Sequence, residues 1–179
     1  MKYELTNLSV IVVIKVDSED RIRNLNYILE YYNQYFKGIE IIIIEQGEQQ
    51  LFFKQEGAID SENIVVYHFI KDNGPHYKTR NLNLATSLAT RKIIMMTDTD
   101  VFVEPKVLSK ALCKMEKESS AILSPHNGVM VEVSKSFFSL NSKSELLDSL
   151  VFFPRSFKQK MDQFDLSNIY PIYGGEYFS

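Results

Sequence analysis

Two carboxylates two residues apart, Asp98 and Asp100, follow directly on the apolar run 93–96 and Thr97. A pair of acids leaving the end of a buried strand repels itself unless something cationic neutralises it. A hard divalent ion does so with oxygen ligands, and it accepts phosphate oxygens as well. Held there, such an ion would bridge a diphosphate and stabilise it as a leaving group. Alone, Asp-x-Asp is common in acidic loops, where the first carboxylate caps a turn and the second is solvated. What gives Asp98-Thr99-Asp100 meaning is its place after the fourth strand of an alternating chain. Arg80 falls in the first turns of an expected helix and faces the same strand ends. An arginine there is a natural anion partner, although a surface ion pair would also account for it.

The elements that must position these groups are legible as an α/β alternation. Residues 8–14 (LSVIVVI) form a β-branched run of strand length. Asp17-Ser18 then offers a helix cap with Glu19 and Asp20 in the first turn. Ile22, Leu25, Leu29, Tyr32 and Phe36 recur at helical spacing, and Gly38 is expected to end that helix. A second buried strand covers 39–44 and stops at Glu45-Gln46-Gly47; a third covers 63–70. The cluster 71–75 (KDNGP) is a turn, 76–90 a helix and 92–97 a fourth strand. Strands apolar on both faces and separated by helices predict a mostly parallel sheet flanked by helices. Beyond Asp100, Glu104-Pro105 opens a helix, 121–124 and 129–133 read as short strands, and 134–157 as one or two amphipathic helices. The tail 169–179 reads as strand, turn and strand. With no repeat or linker visible, residues 1–179 are expected to form one domain.

Ligands of open α/β sheets bind outside the carboxyl ends of the strands. The residues to watch are therefore Lys15, Val16 and Asp17 after the first strand, Glu45 and Gln46 after the second, the 71–75 turn, and Asp98, Thr99 and Asp100.

Composition narrows the field. Net charge is −3 with Lys and Arg scattered, so no basic stripe exists for a nucleic-acid backbone. The single Cys113 precludes an intrachain disulfide, fits a reducing compartment and is expected to be a buried helix residue. Uninterrupted apolar runs such as 10–14 and 41–44 fall far short of the ~20 residues that span a bilayer. No signal-peptide pattern follows Met1, so the expectation is a cytoplasmic protein.

The ordered set of motifs resembles the family-2 glycosyltransferases, enzymes of GT-A fold that use nucleotide sugars. In particular it is similar to bacterial members with a galactosyltransferase-like or polysaccharide-synthesising role. Residues 9–25 match the family's opening strand and helix cap, with Val13 where many relatives have Pro. Asn73-Gly74, then Lys78-Thr79-Arg80-Asn81 and Ala85, then 93–100 match the stretch ending in Asp-x-Asp. The resemblance covers 8–105; later, only Tyr173-Gly174-Gly175 resembles the step that opens the acceptor side. It implies metal-dependent, inverting transfer from a UDP-sugar to a carbohydrate acceptor. Residues Ile14 to Asp17 would border the nucleoside, Glu45 or Gln46 would bond the base, and Arg80 would lie near base and phosphates. Asp98 would bond the ribose, and Asp100, with Asp98 beside it, would hold Mn2+ or Mg2+.

Two other readings stand beside this one. A nucleotide- or partner-binding module would use the same crevice without turnover. A haloacid-dehalogenase-like phosphatase also carries Asp-x-Asp after a buried strand, but on its first strand and with Thr or Val where this chain has Phe102. The family's general base follows the Gly-Gly step, near a Trp; this chain has no Trp and its sequence ends at Ser179. The expectation is a chain cut before the acceptor-side segment, binding donor but transferring slowly, with exposed apolar surface at 173–179 that favours self-association. Otherwise the base would be sought among Asp148, Asp162, Asp165 and Glu176.

Overall fold

A computed structural model describes residues 2–52, 62–118, 122, 123 and 125. Two compact units divide the chain at Val101 and Phe102. In the first, β1 (Tyr3–Glu4) is followed by β2 (Leu8–Lys15), α1 (Glu19–Tyr35), β3 (Phe36–Lys37) and β4 (Glu40–Gly47). Then come β5 (Ile64–Lys71), α2 (Lys78–Leu88) and β6 (Ile93–Thr97). The main sheet is wholly parallel in the order β5-β4-β2-β6, while β1 and β3 make a small parallel pair. The chain steps outward from β2 through β4 to β5, then returns to place β6 on the other side of β2. That reversal opens a crevice between the carboxyl ends of β2 and β6.

Period-two alternation sends the central strands' side chains to two layers. Ile11, Val13, Ile42 and Ile44 pack with Ala85 of α2, joined by Leu82 and Leu88. On the opposite face Val10, Val12, Ile14, Ile41 and Ile43 are fully buried, as are Leu25 and Ile28 of α1. Buried Tyr32 of α1 is hydrogen-bonded with Thr97 of β6, tying helix to sheet. Each such buried branched side chain contributes roughly 1.5–3 kcal/mol.

At the amino end of the sheet lies a buried carboxylate. Glu40 accepts from Ser9 Oγ at 2.5 Å, from the Thr90 N–H at 2.9 Å and from Thr90 Oγ1 at 2.7 Å. Ser9 Oγ in turn accepts the Arg91 N–H at 3.1 Å. Burial pushes the Glu40 carboxyl up, but the Ser9 and Thr90 hydrogen bonds and the Arg91 charge outweigh it, so its pKa falls below the usual glutamate value. The knot fixes the turn between α2 and β6, and with it where β6 begins.

Several boundaries differ from expectation. Strand β4 runs on through Glu45, Gln46 and Gly47, because β5 pairs with it as far as Gly47 and Lys71. Helix α1 ends at Tyr35, since Phe36 and Lys37 are drawn into pairing with β1. Gly38 serves the next turn instead: its φ is +78°, and a Cβ there would come within 2.9 Å of Thr6 Cγ2.

In the second unit, α3 (Pro105–Glu118) buries Leu108 and Leu112. Cys113 is exposed, correcting the expected buried thiol, because it lies one position past Leu112 on the helix. Among the described residues no helix is long and apolar enough to cross a membrane. The expected elements at 129–133, 134–157 and 169–179 lie outside the described residues, as does most of 121–124.

Candidate functional site

Adjacent residues at the end of β4 point to opposite faces, and that separates Glu45 from Gln46. The buried Glu45 carboxylate accepts the Leu51 N–H at 2.9 Å, the Phe52 N–H at 3.2 Å and the Tyr67 hydroxyl at 2.6 Å. It organises the chain just after β4, where both of its oxygens are engaged. Burial and the Glu45 contact together raise the Tyr67 pKa, keeping that hydroxyl a donor.

Gln46, also fully buried, fastens the loop that follows β5. Its Nε2 donates to the Pro75 carbonyl at 2.7 Å. Its Oε1 accepts the Tyr77 N–H at 3.1 Å and Asn81 Nδ2 at 3.0 Å. An aspartate could not donate to Pro75, so the amide suits this position. Tyr77, the residue preceding α2, supplies no side-chain cap; its N–H is satisfied by Gln46 instead.

The same loop is held from within. Asp72 Oδ1 accepts the Gly74 N–H at 2.8 Å, and Asp72 Oδ2 meets Arg80 NH1 at 3.0 Å. The Gly74 N–H first, then Arg80, hold the Asp72 carboxyl below its ordinary range. A Cβ at Gly74 would approach Asp72 Oδ1 to 2.9 Å, which explains a glycine at the tightest point. The Arg80 guanidinium stacks over the Tyr77 ring, 4.7 Å from its centroid. Lys15 reaches across from β2, donating to the Gly74 carbonyl at 2.6 Å and to that of Asn73 at 3.3 Å.

Around the crevice the remaining expected residues take different places. Ile14 is completely buried, so only its backbone is offered to a ligand. Asp17 is exposed and pairs with Arg21 at 3.5 Å. Thr99 is buried between the exposed Asp98 and Asp100. Asp98 Oδ1 meets Lys78 Nζ at 2.6 Å, both side chains about half exposed at 53% and 52%. Among the described residues no three His, Cys, Asp or Glu side chains gather to cage a metal. Mg2+ and Mn2+ beside a phosphorylated substrate are commonly held by only one or two carboxylates, the rest of the shell being water and phosphate oxygens, and Asp98 and Asp100 are both exposed side chains of that chemistry.

The sequence offered His76 as a helix cap or a residue near a phosphate without deciding between them, gave Lys78 no contact, and placed Asp72 only in a turn. His76 Nε2 is buried without a hydrogen-bond partner. Burial, then the charges of Arg21, Lys78 and Lys15, push its pKa below the ordinary histidine value, against a smaller opposing pull from Asp17. The signal in the sequence was the position itself, a histidine and a lysine flanking the start of a helix at a strand-end crevice. His126 and the base candidates Asp148, Asp162, Asp165 and Glu176 lie outside the described residues.

The model of one protein family, described as glycosyl transferase family 2, matches residues 9–175. The match extends well past the 8–105 stretch on which the motif resemblance rests. No match was found among curated proteins or among solved structures.

Proposed function

The chain belongs to glycosyl transferase family 2, and from that premise we propose metal-dependent, inverting transfer of a sugar from a UDP-sugar to a carbohydrate acceptor. Membership makes it a glycosyltransferase of GT-A fold, acting on a nucleotide-sugar donor and an acceptor. The parallel order β5-β4-β2-β6 accords with that fold. The observation that carries the finer reading is the placement of Asp98-Thr99-Asp100 at the carboxyl end of β6, beside β2 where the strand order reverses.

In this reading Asp100 and Asp98 would hold the divalent ion, which would supply positive charge to stabilise the diphosphate as the leaving group. Buried Thr99 fixes the turn so that both flanking carboxylates stay at the surface. Asp98 also receives a ribose hydroxyl, and the backbone at Ile14 to Asp17 borders the nucleoside. Gln46 acts through the loop it fastens, holding Arg80 and Lys15 at the crevice rim. Glu45 holds the chain after β4 and takes no part in reading the base.

Thermal unfolding tests this reading. With UDP and manganese at a hundred times the dissociation constant, linkage adds about 2.7 kcal/mol of stability. An unchanged midpoint at millimolar UDP plus manganese would remove the donor site from this end of the sheet.

A further inference from the structure

Within the donor-site reading, on which this inference rests, His76 has a buried Nε2 but no partner for it. Lys15 from the end of β2, Asp17 from the loop that follows, Arg21 from the start of α1, and Lys78 from the start of α2 all lie near enough to act on its charge. The nearby acids already have bases, since Asp17 pairs with Arg21 at 3.5 Å and Asp98 with Lys78 at 2.6 Å. Lys15 directs its ammonium to the carbonyls of Asn73 and Gly74. A buried imidazole nitrogen without a partner is costly, and the great majority of such atoms find one. Three positive side chains about the ring make an acceptor-rich anion the fitting partner, in preference to a sugar hydroxyl or a further cation.

We propose that His76 contacts the phosphate groups of the donor directly, donating from Nε2 to a phosphate oxygen while Lys15 and Lys78 provide the surrounding positive charge. His76 is then a binding residue for the leaving diphosphate, separate from the metal carboxylates on β6. Its contribution is felt by ligands that carry phosphate and not by the nucleoside alone.

Calorimetric titrations of UDP, uridine and inorganic pyrophosphate into the wild type, His76→Ala and His76→Gln test this. His76→Ala is expected to weaken UDP and pyrophosphate roughly ten- to a hundredfold, the loss typical of a hydrogen bond to a charged group, and to leave uridine unchanged. His76→Gln keeps a donor at a similar reach and is expected to recover most of the affinity. Undiminished UDP and pyrophosphate binding in His76→Ala would overturn the proposal. So would an equal loss for uridine, which would mark the ring as shaping the loop only. If the wild type binds pyrophosphate in a His76-dependent way but gains nothing from the uridine moiety, the nucleotide reading fails and the phosphate contact stands. Binding of neither UDP nor pyrophosphate to the wild type would overturn both.

Discussion

The same parallel strands carry charge differently at their two ends. At the amino end Glu40 is buried and holds three hydrogen bonds from Ser9 and Thr90, so its charge is fully committed to the fold. At the carboxyl end Asp98 and Asp100 are exposed, and the Asp98 carboxylate forms a half-exposed ion pair with Lys78. A surface pair of that kind is worth about 0–1 kcal/mol, so it yields readily to a stronger cation. The contrast repeats on a smaller scale at neighbouring positions of β4. Glu45 is spent on the chain that follows it, while Gln46 is spent on the loop that frames the crevice. Burial and satisfied hydrogen bonds therefore mark the charges that build, and exposure at the strand ends marks those available to a ligand.

The largest effect that would separate the two ends belongs to Asp100. Replacing it with Ala is expected to leave the melting temperature within a degree or two and to lower sugar transfer by about a hundredfold or more, since metal stabilisation of a leaving group supplies several kcal/mol. Asp98→Ala is expected to weaken UDP even without metal, whereas Asp100→Ala abolishes only the metal dependence. Equal, metal-independent losses in the two variants, read by titration with and without manganese, would break the assignment.

Glu40 is expected to show the reverse profile. Glu40→Ala strands the Ser9 and Thr90 donors and should cost about 3 kcal/mol in urea unfolding, with UDP affinity unchanged in the folded fraction. Because its folded pKa is depressed, the stability Glu40 contributes is complete above the ordinary glutamate value. It is lost as pH falls through the lower folded value. The stability gap between wild type and Glu40→Gln should accordingly shrink as the pH is taken below about 4. A gap that widens on acidification would contradict the hydrogen-bonded carboxylate.

A smaller effect sharpens the comparison at Gln46. Gln46→Ala leaves the Tyr77 N–H and Asn81 Nδ2 without their acceptor and should cost about 1–3 kcal/mol. It should also weaken UDP by loosening the loop. Glu45→Gln should lower stability by a comparable amount without touching UDP affinity once folding is complete. Matching losses of affinity in both variants would show that Glu45 and Gln46 do not serve different faces.

The alternation of strands and helices up to β6 was legible because β-branched runs and a helical stripe leave strong periodic signals. The Asp-x-Asp pair was legible for a related reason: its strand ends where the apolar run ends. Pairing was harder to read. Glu45 and Gln46 look like loop residues by polarity, yet β5 extends the ladder past them to Gly47. Phe36 leaves its helix because β1 offers a partner 33 positions back in register with Tyr3. The Glu40 knot was invisible because its partners, Ser9 and Thr90, are distant in sequence and ordinary in type. His76 could be read from the sequence only as a helix cap or a residue near a phosphate, since only the fold brings Lys15, Arg21 and Lys78 around it.

The central claim, that the carboxyl end of β2 and β6 receives a nucleotide diphosphate through Asp98 and Asp100, is tested most directly by calorimetric titration of UDP with and without manganese. The expected result is one UDP per chain, bound at least about tenfold more tightly when manganese is present, as an added charge-assisted contact to phosphate requires. No heat of binding in either condition, or an affinity indifferent to the metal, would contradict it.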